Sequence, residues 1–226
     1  ERYWQTFTYT KLLNSRTGEE DQPRVDFIPT SPLPTEAEQE LIENILSAVP
    51  SFDIIIVADQ AETSAGGVVT PAVRDCIIRL AEKYPQKVFL ADSRKRVHLF
   101  RKVIVKPNRD EAEAASQLLF GKVDFPALRR HLEAKILVVT HGPKGVLVVQ
   151  DEGVAWVETQ AVENPVDICG AGDSFAAACA LALAATGDPV AAAHLGNLAA
   201  SVTIMKKGTG TASPEEILAA EQNLLS

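Results

Sequence analysis

The chain has 226 residues, 46% hydrophobic and 23% charged, enough to bury a substantial core and better suited to one globular unit than to two. Its formal net charge of -8 and pI near 5.1 argue against a nucleic-acid backbone or an anionic membrane as partner, and still allow a local basic pocket for a nucleotide. The longest apolar run, Phe175 to Thr186, is alanine-rich and too short to cross a bilayer, and no basic region followed by a hydrophobic run opens the chain, so a cytoplasmic location is expected.

In chain order, residues 3–13, starting at Tyr3, are aromatic, β-branched and threonine-rich. A polar turn spans 14–23, and 24–28 repeats the character of the first run, which predicts an antiparallel hairpin. Thr35 and Glu38 have capping-box spacing ahead of an amphipathic helix to about Val49, and 53–58 is a continuous apolar run of buried-strand type. Thr70-Pro71 opens a helix with a cap and a first-turn proline. Strands are expected at 87–91 and 103–106, then a helix from Asn108 to about Leu119, a short helix near 125–132 and a strand at 136–140. Segments 145–150 and 154–157 read as a hairpin around Asp151-Glu152-Gly153. Alanine-rich helices start near Gly172 and at Pro189, and Ser213-Pro214 begins a terminal helix. Strands alternating with helices mean βαβ units and a mostly parallel sheet covered on both faces, with function at the C-terminal strand ends. The opening hairpin stands outside that rhythm and reads as a lid. Since the chain begins at Glu1, without Met, inside an expected strand, a piece of a longer protein is expected.

Asp167-Ile168-Cys169-Gly170-Ala171-Gly172-Asp173 joins a glycine turn, a carboxylate and a long apolar helix. The glycines let consecutive N–H groups point one way and the helix adds its positive N-terminal end, so Gly170, Ala171 and Gly172 can form an anion hole with Asp173 as a base for a hydroxyl. The same residues also suit a plain strand-to-helix turn with Asp173 as a cap. Phe175 stands where a dinucleotide fingerprint needs its third glycine, and no Gly-Lys-Ser/Thr follows, which excludes Rossmann and Walker loops here.

Thr140, Gly142 and Gly145 leave a buried strand, where a hydroxyl and open N–H groups can meet a phosphate chain or simply make a turn. In Lys106-Pro107-Asn108-Arg109-Asp110-Glu111, Asn108 and Glu111 lie one helical turn apart, able to hold hydrated magnesium, to form a capping box, or both. His194-Leu195-Gly196-Asn197 and Lys206-Lys207-Gly208-Thr209-Gly210-Thr211 carry small residues that let a flat base approach, or that terminate a helix. Cys76, Cys169 and Cys179 show neither disulfide nor zinc spacing; Cys76 and Cys179 read as core residues and Cys169 as a small packing residue. His98, His131, His141 and His194 lack metal-ligand spacing.

Together and in this order, these elements resemble the PfkB/ribokinase family of carbohydrate kinases, over the stretch from about Asp53 to the C-terminus. The 167–173 segment is similar to the signature Asp-Thr-x-Gly-Ala-Gly-Asp, Asn108 and Glu111 to Pro-Asn-x-x-Glu, and Thr140, Gly142 and Gly145 to Thr-x-Gly-x-x-Gly. The resemblance implies a ribokinase-like α/β fold with a β-hairpin lid at 1–30 and a nucleotide-binding and catalytic unit at 31–226. It also implies ATP and Mg2+ as cofactors, with Asp173 as base, Gly170, Ala171 and Gly172 as anion hole, and Asn108 and Glu111 organising magnesium and phosphates. Asn197 and the Gly208-Thr209 loop would lie near adenine, and Asp167, Cys169, Thr203, Lys206 and Gly208 around a monovalent cation such as K+. Ile168 replaces the usual small or hydroxylated residue, as in the heptose-phosphate kinase branch, and the family's N-terminal sugar-binding segment has no counterpart in this sequence. Asp59 is the candidate for the sugar side, with a surface loop as the other reading. The expected activity is phosphorylation of a small-molecule sugar or sugar phosphate, with no nucleic-acid or membrane partner and a homodimer through the lid edge. The alternatives are a non-catalytic nucleotide-binding module and a nucleoside or vitamin kinase of the same fold.

Overall fold

The computed structural model describes the chain except for residues 1–3, 19, 64, 160 and 226. β1 (Thr8–Leu13) and β2 (Glu20–Phe27) form the expected antiparallel hairpin, with a register shift between Thr10 and Leu12. Its turn is shorter than the sequence suggests, since β2 begins at Glu20 rather than Arg24. Asn14 closes the turn early: its Oδ1 accepts from the N–H groups of Arg16 (2.9 Å) and Thr17 (3.2 Å), and its carbonyl from Gly18 N–H (2.8 Å). Tyr3, the expected start of the first arm, lies outside the described residues.

A six-stranded sheet follows, whose order in space equals its order in the chain: β3 (Ile54–Asp59), β4 (Val88–Ser93), β5 (Ile104–Val105), β6 (Leu137–Thr140), β7 (Val146–Val149) and β8 (Val154–Val157). The first four strands are parallel, and β7 and β8 add antiparallel. The helices are α1 (Thr35–Ala48), α2 (Pro71–Lys83), α3 (Arg109–Phe120), α4 (Phe125–His131), α5 (Ala171–Thr186), α6 (Pro189–Thr203) and α7 (Pro214–Leu225). They cover both faces of the sheet. Val57, Phe89, Ala91, Val105 and Val139 pack with Cys76, Ile77 and Leu80 of α2, Ala112 of α3 and Leu128 of α4, whereas Leu90, Ile104, Val138 and Val148 pack with Phe175, Cys179, Ala192 and Ala193 of α5 and α6. The alternation of Phe89, Leu90 and Ala91 between the two cores is the period-2 pleat of a strand buried on both sides.

Two helix starts match their sequence signals. Thr70 Oγ1 accepts from Val73 N–H (3.2 Å), and Asn108 and Glu111 form a reciprocal capping box. The start of α1 does not: the cap position is Pro34, whose carbonyl takes Glu38 N–H (2.9 Å), so Thr35 is already helical and the expected Thr35/Glu38 box is absent. Cys76 and Cys179 are buried as expected, but Cys169 is exposed, because it sits in the turn before α5 rather than on a packed helix face. α5 and α6 pack closely through their alanines. At Gly196 an added Cβ would lie 2.7 Å from the Phe175 ring, so no larger residue fits there without displacing one helix. Among the described residues, no helix is long and apolar enough to cross a membrane.

Candidate active site

The anion turn is built by backbone conformation. Gly170, at φ 82°, takes the left-handed geometry that an L side chain rarely adopts, and with it the chain reverses from the 166–169 segment into α5. Val166 and Asp167 N–H groups both donate to the Ile204 carbonyl (2.9 and 3.0 Å), anchoring the turn to the end of α6. Asp167 Oδ1 accepts from Cys169 N–H (2.9 Å), and Ala171 N–H donates to the Ile168 carbonyl (3.3 Å). The N–H groups of Gly172 and Asp173 find no partner among the described residues, so two orphan donors at a helix N-terminus open to the outside. The Asp173 side chain is exposed and makes neither a cap bond nor any other polar contact among the described residues. Its carboxylate is therefore free, and the cap role fails.

Two clefts meet at this turn. A polar one of about 600 Å3 is lined by Asp92, Arg94, Lys106, Asn108, Glu111 and Asp173, with Lys11, Glu20 and Arg24 reaching in from the hairpin. An apolar one of about 560 Å3 is lined by Gly142, Gly145, Val162, Pro165, Phe175, Asn197 and Ile204. Thr140, Ile168 and Gly172 belong to both. One cleft therefore has the character of a flat base's site and the other that of a polyhydroxylated or charged ligand's, with the anion turn between them.

Burial pushes the Glu111 carboxyl up from its ordinary value; the bond it accepts from Asn108 N–H (2.8 Å) opposes this, and the nearby Asp92 adds to it. Asn108 Oδ1 in turn accepts from Glu111 N–H (2.9 Å), so the pair keeps the second Glu111 carboxylate oxygen and the second lone pair of Asn108 Oδ1 as acceptors for a ligand, with the Asn108 amide N–H groups as donors. Among the described residues no three His, Cys, Asp or Glu side chains cluster as a metal site. That donor set fits a hydrated divalent cation reached through its waters rather than a stripped ion.

Other expected residues fall as follows. Asn197 Nδ2 donates to the Glu158 carbonyl (3.2 Å) at the apolar cleft. Thr209 packs on Gly170, 3.7 Å from where a Cβ would stand, and so flanks the anion turn instead of lining the apolar cleft; Gly208 precedes it. Thr203 is buried, its Oγ1 donating to the Ala199 carbonyl (2.8 Å), and its own carbonyl accepts from Lys206 N–H (3.0 Å). Lys206 Nζ is held by Glu216 (2.7 Å). Asp59 is not in the polar cleft: it pairs with Ser93 across β3–β4, on the same sheet face as Val57, so its side chain points to the side opposite α5. There it forms a buried bidentate ion pair with Arg96 (2.8 and 3.0 Å) and accepts from Ser93 Oγ (2.7 Å).

Sequence reading missed Asp92, Arg94 and Lys106. Their signal was present, since each is a charged residue at or just past the C-terminal end of an apolar strand, where a parallel sheet places its ligands.

The profile of the pfkB family carbohydrate kinases matches residues 19–216. The chain belongs to this family. The bifunctional protein HldE of Bradyrhizobium diazoefficiens is 32% identical over 204 residues, covering 86% of this chain and 40% of that protein. HldE of Koribacter versatilis is 28% identical over 221 residues, covering 94% and 43%. The chain thus spans less than half the length of these curated relatives. Among solved structures, ribokinase of Thermotoga maritima superposes with a TM-score of 0.67 at 23% identity, over 96% of this chain and 70% of that one. Phosphofructokinase-2 of Escherichia coli, in complex with potassium, does so with a TM-score of 0.70 at 19% identity, over 96% and 71%. The fold of this pfkB chain is therefore the ribokinase-like α/β fold, its hairpin standing as a lid-like two-stranded sheet. PfkB kinases phosphorylate sugar hydroxyls and draw on ATP and a divalent metal.

Proposed function

We propose that this chain carries the nucleotide-binding and phosphoryl-transfer part of an ATP-dependent kinase acting on a hydroxyl of a sugar or sugar phosphate. The observation that supports it most is the unengaged Asp173 carboxylate beside two orphan N–H donors, at the junction of an apolar and a polar cleft. In this reading the ATP base enters the apolar cleft beside Asn197, and the triphosphate passes Thr140 and Gly142 towards Gly172 N–H. The acceptor lies in the polar cleft. Its hydroxyl oxygen bonds to the γ-phosphorus as the bond to the β,γ-bridging oxygen breaks, the electron pair leaves with ADP, and Asp173 receives the hydroxyl proton.

Asn108 and Glu111 would hold hydrated magnesium, which when bound neutralises phosphate charge. The carboxylate and backbone carbonyls around Asp167, Cys169, Thr203, Lys206 and Gly208 suit a monovalent cation such as K+, which would share Asp167 with Lys11 at 3.8 Å. Asp59 takes no part, its carboxylate being committed to Arg96. Lys11 and Arg24 in the polar cleft favour an acceptor that already bears a phosphate, in keeping with the resemblance of Ile168 and Asn197-Leu198-Ala199-Ala200 to the heptose-phosphate kinase branch. Residues 1–30 act as a lid over the unit 31–226. The exposed apolar side chains of Tyr9, Leu12, Leu13, Val25 and Phe27 suit pairing of two lids in a homodimer. A cytoplasmic location accords with ATP as the phosphoryl donor in this reading.

The test is magnesium-dependent ATP turnover against a panel of sugars and sugar phosphates, with Asp173→Asn alongside. A general base contributes roughly 10²–10⁴-fold, so kcat should fall by that much with ATP affinity little changed. Unchanged turnover would remove Asp173 from this role. ATP binding without turnover in the wild type would favour a non-catalytic module, and turnover with adenosine or pyridoxal would favour a nucleoside or vitamin kinase.

A further inference from the structure

Lys106 follows directly on β5, and its side chain is almost wholly enclosed, 4% exposed, at the floor of the polar cleft. An ammonium so buried needs a countercharge, and Asp92, beside it across β4–β5, supplies one at 2.8 Å. That carboxylate is the sole polar partner of Lys106 Nζ among the described residues, although an ammonium has three N–H donors. The strand pleat directs Lys106 to the same face as Ile104, towards α5. Its Nζ lies 4.0 Å from the point a Cβ would occupy on Gly172, directly beneath the anion turn. A full positive charge with two free donors therefore underlies the two orphan N–H groups of Gly172 and Asp173.

We propose that Lys106 is a catalytic residue that contacts the phosphoryl group in transfer, and that Asp92 is the positioning residue that holds its ammonium beneath the turn. The inference rests on the kinase reading above. As the acceptor oxygen bonds to the γ-phosphorus and the bridging bond breaks, with the electron pair going to ADP and the proton to Asp173, Lys106 neither gains nor loses a proton. It stabilises the negative charge on the equatorial oxygens, and one such donor is worth on the order of 10²–10³-fold in kcat. Two backbone donors alone would leave that charge only partly balanced. The family pattern expected from the sequence assigns no role to this position.

The experiment measures wild type, Lys106→Met and the double variant Lys106→Met/Asp92→Asn, which leaves no unpaired buried charge and so guards against a loss that is only a folding defect. Magnesium-dependent ATP turnover on the acceptor panel is read together with ATP and ADP affinity by calorimetry. Expected is a fall in kcat of roughly 10²–10³-fold in both variants, with ADP affinity retained and the preference for ATP over ADP lost. Turnover in either variant close to that of the wild type, with the preference kept, overturns the role of Lys106 and leaves the kinase reading standing. A wild type that neither binds nor turns over ATP overturns the kinase reading itself, and this proposal with it. The wild-type arm thus separates the two failures.

Discussion

Asn108 and Thr140 stand side by side across a parallel β-bridge, with Thr140 N–H donating to the Pro107 carbonyl at 3.1 Å. Two motifs distant in the chain are thereby held at one strand end, because β5 and β6 pair in parallel and both exit towards α5. The Thr140 hydroxyl and the Asn108/Glu111 pair consequently line the same cleft as Asp173.

Glu111 links stability to activity. Its folded pKa is raised, chiefly by burial, so the folded state favours the protonated form; the stabilisation this gives is complete below the ordinary glutamate range and is lost as pH rises through the raised folded value. Glu111→Gln keeps an acceptor for Asn108 N–H and carries no charge. Its melting temperature should exceed that of wild type at neutral pH and converge with it in acid, while magnesium-dependent turnover falls. Equal melting temperatures at neutral pH would show that burial costs this carboxylate nothing.

Arg96 holds more than its partner Asp59. Its guanidinium also donates to the carbonyls of Ala61 (3.3 Å), Thr63 (3.3 Å) and Gly66 (3.4 Å), tying these three residues to the end of β3. Arg96→Met leaves the buried Asp59 without its hydrogen-bonded countercharge, only the Arg74 guanidinium remaining nearby, and should cost about 3–5 kcal/mol in urea unfolding. Making both members apolar, as Arg96→Met/Asp59→Leu, should recover much of that. If the single variant loses less than about 1 kcal/mol, the typical worth of an exposed pair, the ion pair is not the clamp described.

Gly196→Ala tests the α5–α6 contact. The new methyl would meet the Phe175 ring at 2.7 Å, and overpacking of this kind costs about 1–3 kcal/mol. For a chain of this length a melting temperature lower by very roughly 2–10 °C is expected in differential scanning calorimetry. Phe175→Leu combined with Gly196→Ala should return part of the loss; an unshifted Gly196→Ala would mean that the two helices slide apart freely.

The three thiols should separate by accessibility. Cys179 is buried and its thiol is pushed up to about 12, and Cys76 is buried and raised, in both cases chiefly by burial, while Cys169 is exposed on the polar cleft. A maleimide added to the native protein should label Cys169 alone, as read by peptide mass mapping, and bound ATP should slow the reaction. Labelling of Cys76 or Cys179 at a similar rate would contradict the packing of α2 or α5.

Much of this protein is legible residue by residue. The turn from Asp167 to Asp173, the caps at Thr70 and Asn108, and the apolar runs of β3, β4 and β6 are local signals: a glycine that must take positive φ, a side chain that reaches its own backbone, a strand apolar on both faces. These determined the succession of elements and the resemblance to a kinase family. Which charged residues face one another was decided only by the tertiary structure. Asp59 and Asp92 both occupy the C-terminal ends of neighbouring parallel strands, yet the pleat sends Asp59 to Arg96 on one face and Asp92 to Lys106 on the other. Strand register, fixed by pairing between distant segments, sets that parity, and the sequence around either aspartate carries no local mark of it. The same holds for Thr35, which has the spacing of a cap but lies inside α1 because the Pro34 carbonyl begins the helix one residue earlier.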